Sequence, residues 1–204
     1  MMNMKKRIKG FTLTELIVVM AIIGILAAIL APTMINYYRK SRVKDANTDA
    51  KMVYNAVQTE LQRFTSIDRQ REDADKSLFS DMVMLSYDSA TRSVSCTTEV
   101  SSGFAVPADA RAQEACDAIE AAVHRIVSES EDFDWAVYVD DYIVKACVSA
   151  PNGTSRFIGQ YSANNTIATG MSDVPYATAI SGGSNMLVQL AAVYDAVPEE
   201  TPET

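Results

Sequence analysis

From Phe11 to Ala31 the chain runs for 21 residues with one charged side chain, Glu15. At 1.5 Å per residue such a helix is about 30 Å long, the thickness of one bilayer hydrocarbon core. No soluble surface tolerates it, so the segment must lie in lipid or against another apolar surface. A secretory signal peptide is the first competitor, because Lys5, Lys6, Arg7 and Lys9 precede the run. Three features oppose that reading. The run exceeds the usual apolar region of about 7–15 residues. It carries an acid, which at a membrane centre costs about 2.5–3.5 kcal/mol. And helical patterning continues past Ala31. Flanking charge leaves the topology open, since Arg39, Lys40, Arg42 and Lys44 balance the four basic residues on the other side.

Beyond Pro32, Val43, Ala46, Ala50, Val53, Val57, Leu61 and Phe64 recur at spacings of three and four, with Tyr54 beside them. Lys44, Asp45, Asp49, Lys51 and Gln58 fall opposite. Residues 11–65 therefore read as one helix about 80 Å long. Its first half is apolar all round, and its second half is amphipathic and needs a partner surface, which only the rest of the chain can supply.

Residues 66–77 read as a charged linker, and "FSDMVMLSYD" fits either a short helix or a strand. A strand is expected near Val94–Thr98. An amphipathic helix follows, capped by Asp109, with Ala112, Ala115, Ile119, Ala122, Val123, Ile126 and Val127 on its apolar side. "WAVYVDDYIVKACVS" holds two strands about a tight Asp140-Asp141 turn. Asn152-Gly153 then predicts a hairpin into a third strand ending near Tyr161, which makes an antiparallel meander. Residues 164–184 read as irregular, "NMLVQLAAVYDA" as a short helix and "VPEETPET" as an acidic tail. The fold class is α+β: a long N-terminal helix packed on a head with an antiparallel sheet and one additional helix.

The 204 residues carry a formal net charge of −8. Without the first ten residues it would be −12, which argues against nucleic acid as a partner. Cys96, Cys116 and Cys147 allow one bridge and one free thiol, with three pairings open. No CxxC, phosphate loop or nucleophile elbow occurs. His124 is the sole histidine and has no cysteine or carboxylate cluster at ligand spacing. Asp132, Asp134, Asp140 and Asp141 read as a solvated acidic rim rather than a calcium site. Neither an enzymatic activity nor a metal or other cofactor is expected.

The stretch "KGFTLTELIVVMAIIGILAAILAP" resembles the class III signal of type IV pilins and their relatives. Gly10, Phe11, Thr12, Leu13, Glu15, Gly24 and Pro32 carry the resemblance, which covers about the first quarter of the chain. It implies cleavage between Gly10 and Phe11 by a prepilin peptidase and N-methylation of Phe11. It also breaks the topology tie, with the leader inside and the head outside. In such a family Glu15 would neutralise the new Phe11 amine of a neighbouring subunit, and Gly24 to Pro32 would lose helicity on assembly. The implied organisation is a leader (1–10), a membrane and filament-core helix (11–35), an amphipathic half-helix (36–65), a globular head (66–196) and a flexible tail (197–204). The implied partners are other pilin subunits, the peptidase, an inner-membrane platform with its assembly ATPase, and lipid before assembly. The chain would move from the cytoplasmic membrane, as a single-pass protein, to an extracellular pilus serving adhesion, motility or DNA uptake. A type II secretion pseudopilin and a non-polymerising anchored surface protein are the alternatives.

Overall fold

A computed structural model describes residues 11–68, 83–97, 110–127, 132–162, 164, 167–181 and 185–195, apart from a few side chains near element ends, Cys96 among them. The elements are α1 (Leu13–Asp68), β1 (Val83–Asp88), β2 (Ser93–Thr97), α2 (Ala110–Ile126), β3 (Asp134–Asp140), β4 (Ile143–Ala150), β5 (Gly159–Ser162), α3 (Tyr176–Ala179) and α4 (Met186–Asp195). The chain divides into two compact units, Met1–Tyr38 and Arg39–Thr204.

In the first unit α1 is long and apolar enough to cross a membrane. Every residue from Phe11 to Tyr38 is exposed. Helix persists through Pro32, although proline removes one main-chain donor. At the next residue, the Thr33 hydroxyl donates back to the Leu30 carbonyl at 2.8 Å. A side chain at Gly24 would meet nothing within 4 Å, so no contact among the described residues requires glycine there.

The second unit is built on a five-stranded antiparallel sheet in the order β2-β1-β3-β4-β5. Alternation along the strands divides the side chains between two cores. Leu85, Tyr87, Trp135, Val137 and Val139 meet Val53, Val57 and Leu61 of α1 and Ile119 and Val123 of α2. Met84, Ala136, Tyr138, Ala146 and Val148 meet Tyr176 and Leu187 on the other face. A strand buried on both faces cannot alternate polar and apolar residues, which is why "WAVYV" is continuously apolar. All seven stripe residues of α1 are buried; each larger one contributes about 1.5–3 kcal/mol.

On β4 the alternation breaks. Tyr138 pairs with Ala146 but Val139 pairs with Val144, leaving Lys145 as the extra residue of a bulge. Val144 and Cys147 therefore share one core while Ala146 and Val148 share the other.

Several expectations shift. The β3–β4 turn lies one residue later than expected, on Asp141 and Tyr142, both in left-handed conformation at φ 46° and 61°, as a two-residue hairpin of the right twist demands. Asn152-Gly153 does not close a tight hairpin, because residues 151–158 intervene before β5. Instead the Asn152 side chain accepts from the Thr154 N–H, and the Gly153 carbonyl accepts from Ala177 N–H at 2.9 Å. Ile126 is exposed, not buried with its helix face. Residues 83–88 resolve as strand, α1 extends to Asp68, and α3 and α4 accompany α2. Asp109, most of the expected linker and the acidic tail lie outside the described residues.

Cys116 on α2 is disulfide-bonded, whereas Cys147 is a buried free thiol. Burial pushes the Cys147 thiol well above its ordinary range, so it stays protonated and unreactive. Non-reducing peptide mapping is expected to find the Cys116 peptide in a disulfide and Cys147 alkylated only after unfolding. A bridge containing Cys147 would contradict this. Reduction should cost about 2–4 kcal/mol, the typical worth of one disulfide, read as a lower unfolding midpoint.

Candidate functional site

The start of α1 is closed by its own side chains. The Thr12 carbonyl accepts the first helical bond, from the Leu16 N–H at 3.2 Å. The Glu15 N–H donates to Thr12 Oγ at 3.3 Å. In return Glu15 Oε2 accepts from the Thr12 N–H at 2.9 Å and from its hydroxyl at 2.8 Å. This is a reciprocal capping box, which satisfies donors that a helix start otherwise leaves open. Glu15 therefore has a local partner that the sequence reading omitted, although Thr-x-x-Glu before an apolar run announces one. The carboxylate remains exposed, and its Oε1 has no hydrogen bond among the described residues.

A profile described as the prokaryotic N-terminal methylation motif matches residues 5–31. The type IV major pilin protein PilA of Myxococcus xanthus is 50% identical over 50 residues, 24% of this chain and 23% of that one. The type IV major fimbrial protein FimA of Dichelobacter nodosus is 46% identical over 56 residues, 28% of this chain and 36% of that one. The N-terminal segment thus carries the methylation motif and is similar to that of type IV major pilins. The match covers well under half the length of these pilins. No solved structure matches the chain. Of the residues expected to serve cleavage, methylation and assembly, Phe11, Glu15 and Gly24 fall within the matched residues 5–31 and Pro32 lies one residue beyond them; Gly10 lies outside the described residues.

What joins the later part of α1 to the sheet is directional as well as apolar. Gln58, expected on the solvent face, is half-buried. Its Nε2 donates to the Tyr142 carbonyl at 3.1 Å and its Oε1 accepts from the Val144 N–H at 2.8 Å. One side-chain amide thus satisfies the end of β4 that β5 does not reach. Asn47 treats the far edge similarly. Its Oδ1 accepts from the Gln160 N–H at 2.9 Å and its Nδ2 donates to the Ala168 carbonyl at 2.8 Å. The Ser149 hydroxyl donates to the Ala46 carbonyl at 2.7 Å. Gly159 of β5 lies flat against the same turn of helix: a Cβ there would be 2.0 Å from the Ala46 oxygen.

The four aspartates do not form one rim. Asp134 is buried, and its Oδ1 accepts from the Ser89 N–H at 2.8 Å and hydroxyl at 2.6 Å. Asp140 pairs with Lys145 at 3.6 Å, while Asp132 and Asp141 are exposed. Among the described residues no three metal-ligating side chains come together. His124 is 3.4 Å from Glu120 and packs edge-on against Tyr87, a structural setting.

Proposed function

We propose that this chain is a structural subunit of a type IV pilus, with no catalytic role. A prepilin peptidase would cut between Gly10 and Phe11 and Phe11 would be N-methylated. The segment 11–35 would then leave the membrane to pack among the same segments of other subunits, driven by an assembly ATPase and a membrane platform. The observation that carries this is the exposure of every side chain from Phe11 to Tyr38, on a segment matching known pilins. Such an apolar surface is stable only in lipid or against other chains.

Processing also explains the acid. Cleavage makes an α-amine at Phe11 with a reference pKa of about 7.7–8, cationic near neutrality, and methylation retains that charge. An unpaired ammonium and an unpaired carboxylate are both costly in an apolar core, and pairing them across subunits selects one axial register. On assembly the stretch from Gly24 to Pro32 would extend, because glycine and proline make it the weakest part of the helix.

N-terminal sequencing after co-expression with a cognate peptidase tests the reading. The expected product begins at Phe11. An intact leader, or cleavage after Ala31, would overturn it. Filaments that form only alongside a type II secretion apparatus would favour the pseudopilin alternative.

A further inference from the structure

Asn152-Gly153 closes no hairpin, yet its local geometry carries chemistry of its own. Asn152 is exposed, on the connection between β4 and β5. Its main-chain carbonyl accepts from the Ser155 N–H at 3.0 Å, which closes a tight turn. Its side-chain Oδ1 accepts twice from Thr154, from the N–H at 3.2 Å and from the hydroxyl at 2.8 Å. Neither the Asn152 Nδ2 nor the Gly153 N–H has a hydrogen bond among the described residues.

These are the conditions under which an asparagine cyclises. The attacking atom is the next main-chain nitrogen, and the chain itself holds it beside Cγ, so the step is intramolecular. Here that nitrogen is unoccupied, and glycine puts no Cβ next to it. Two donors on Oδ1 draw charge from Cγ and stabilise the oxyanion formed on attack. The amide to be expelled faces solvent. Other asparagines fail one or more of these conditions. Asn36, Asn47 and Asn55 lie within α1, where the following N–H is spent in the helical ladder. Asn185 is buried, and its Nδ2 donates to the Ile180 carbonyl.

We propose that Asn152 is a self-modifying site, at which the Gly153 nitrogen displaces ammonia to form a cyclic imide that water opens to aspartate or isoaspartate. The bond from Gly153 N to Asn152 Cγ forms and the Cγ–Nδ2 bond breaks. The nitrogen gives its proton to solvent, and the expelled amide takes one up and leaves as ammonia. Water then adds across one C–N bond of the imide. Nothing is oxidised or reduced, and water is the sole co-reactant. Either product adds one negative charge. Isoaspartate also inserts a carbon into the main chain at the turn. The Ser155 carbonyl accepts from the Tyr176 N–H and the Gly153 carbonyl from the Ala177 N–H, both at 2.9 Å, so that insertion loosens the hold of this loop on α3. The site uses only the head, so it stands or falls separately from filament assembly.

The test incubates the full chain in detergent at neutral pH and physiological temperature, then maps its peptides by mass spectrometry. Labelling with an isoaspartate-specific carboxyl methyltransferase counts the rearranged product. The Asn152 peptide is expected to convert about tenfold faster or more than those of Asn47 and Asn185, and faster still as pH rises, because the attacking nitrogen must shed its proton. Gly153→Ala would place a methyl 3.5 Å from Asp134 Oδ2 and 3.6 Å from the Ala177 side chain, ordinary contacts that should keep the fold. Its methyl crowds the nitrogen and should slow conversion about tenfold. Thr154→Val removes the hydroxyl donor and should also slow it about tenfold, the worth of one hydrogen bond, while Thr154→Ser should restore the rate. The fluorescence of Trp135, the one tryptophan, checks that each variant is folded. Faster conversion in Thr154→Val would mean that the hydroxyl only stiffens the turn. That result, an Asn152 peptide no faster than the other two, or an unchanged rate in Gly153→Ala would each overturn the proposal.

Discussion

Gly159→Ala is expected to unfold the head or release α1 from the sheet. The added carbon would stand 2.0 Å from the Ala46 oxygen, 2.1 Å from the Ala46 carbonyl carbon and 2.6 Å from the Asn47 nitrogen. These are main-chain atoms inside a helix, so no rotamer change relieves the clash. Helix and strand must separate by more than an ångström, which breaks the Ser149 and Asn47 hydrogen bonds on the same turn. Ordinary overpacking costs about 1–3 kcal/mol. With the bonds lost as well, about 4 kcal/mol or more is expected, against a typical domain stability of about 5–15. Denaturant unfolding followed by Trp135 fluorescence reads the change directly. A midpoint equal to that of the parent would mean that α1 does not approach β5 this closely.

Glu15→Val should leave the chain processed yet reduce filament yield at least tenfold. Removing one partner of a buried charge pair costs about 3–5 kcal/mol, mostly the cost of the stranded ammonium, and each 1.4 kcal/mol is a factor of ten in association. The capping box complicates a single substitution, because Glu15 also holds Thr12. Thr12→Val separates the two roles. It removes the hydroxyl bond, a loss of about 1 kcal/mol, but keeps the carboxylate, so yield should fall only a few-fold. Electron microscopy of sheared filaments, with immunoblotting of the processed subunit, measures both. Equal loss in the two variants would assign Glu15 to helix capping and remove the case for pairing between subunits.

Periodicity made the helix and the core legible. Seven apolar positions of α1 were readable at helical spacing, and all seven are buried. The meander was readable because β3 and β4 are dense in β-branched and aromatic residues. Polar residues were misjudged where their burial depends on distant chain. Gln58 reads as solvent-facing because nothing local shows that a strand end 84 residues away needs an amide. Asn47 depends on partners 113 and 121 residues away. Asp134 looks like its exposed neighbour Asp132 until the β1–β2 turn brings Ser89 onto it. In the N-terminal segment the acid's spacing was visible at once, but attention to its charge obscured its simpler bond to Thr12.

The amides of Asn47 and Gln58 also bear on mechanical load. A helix held only by grease can creep along its axis, trading one apolar contact for the next. A slip of one turn here, about 5.4 Å, would strip both amides of their main-chain partners together. In a fibre of the kind proposed, a pull on the head would therefore meet an abrupt yield point instead of gradual sliding. Each subunit would act as a rigid link, leaving stretch to be taken up elsewhere, between Gly24 and Pro32.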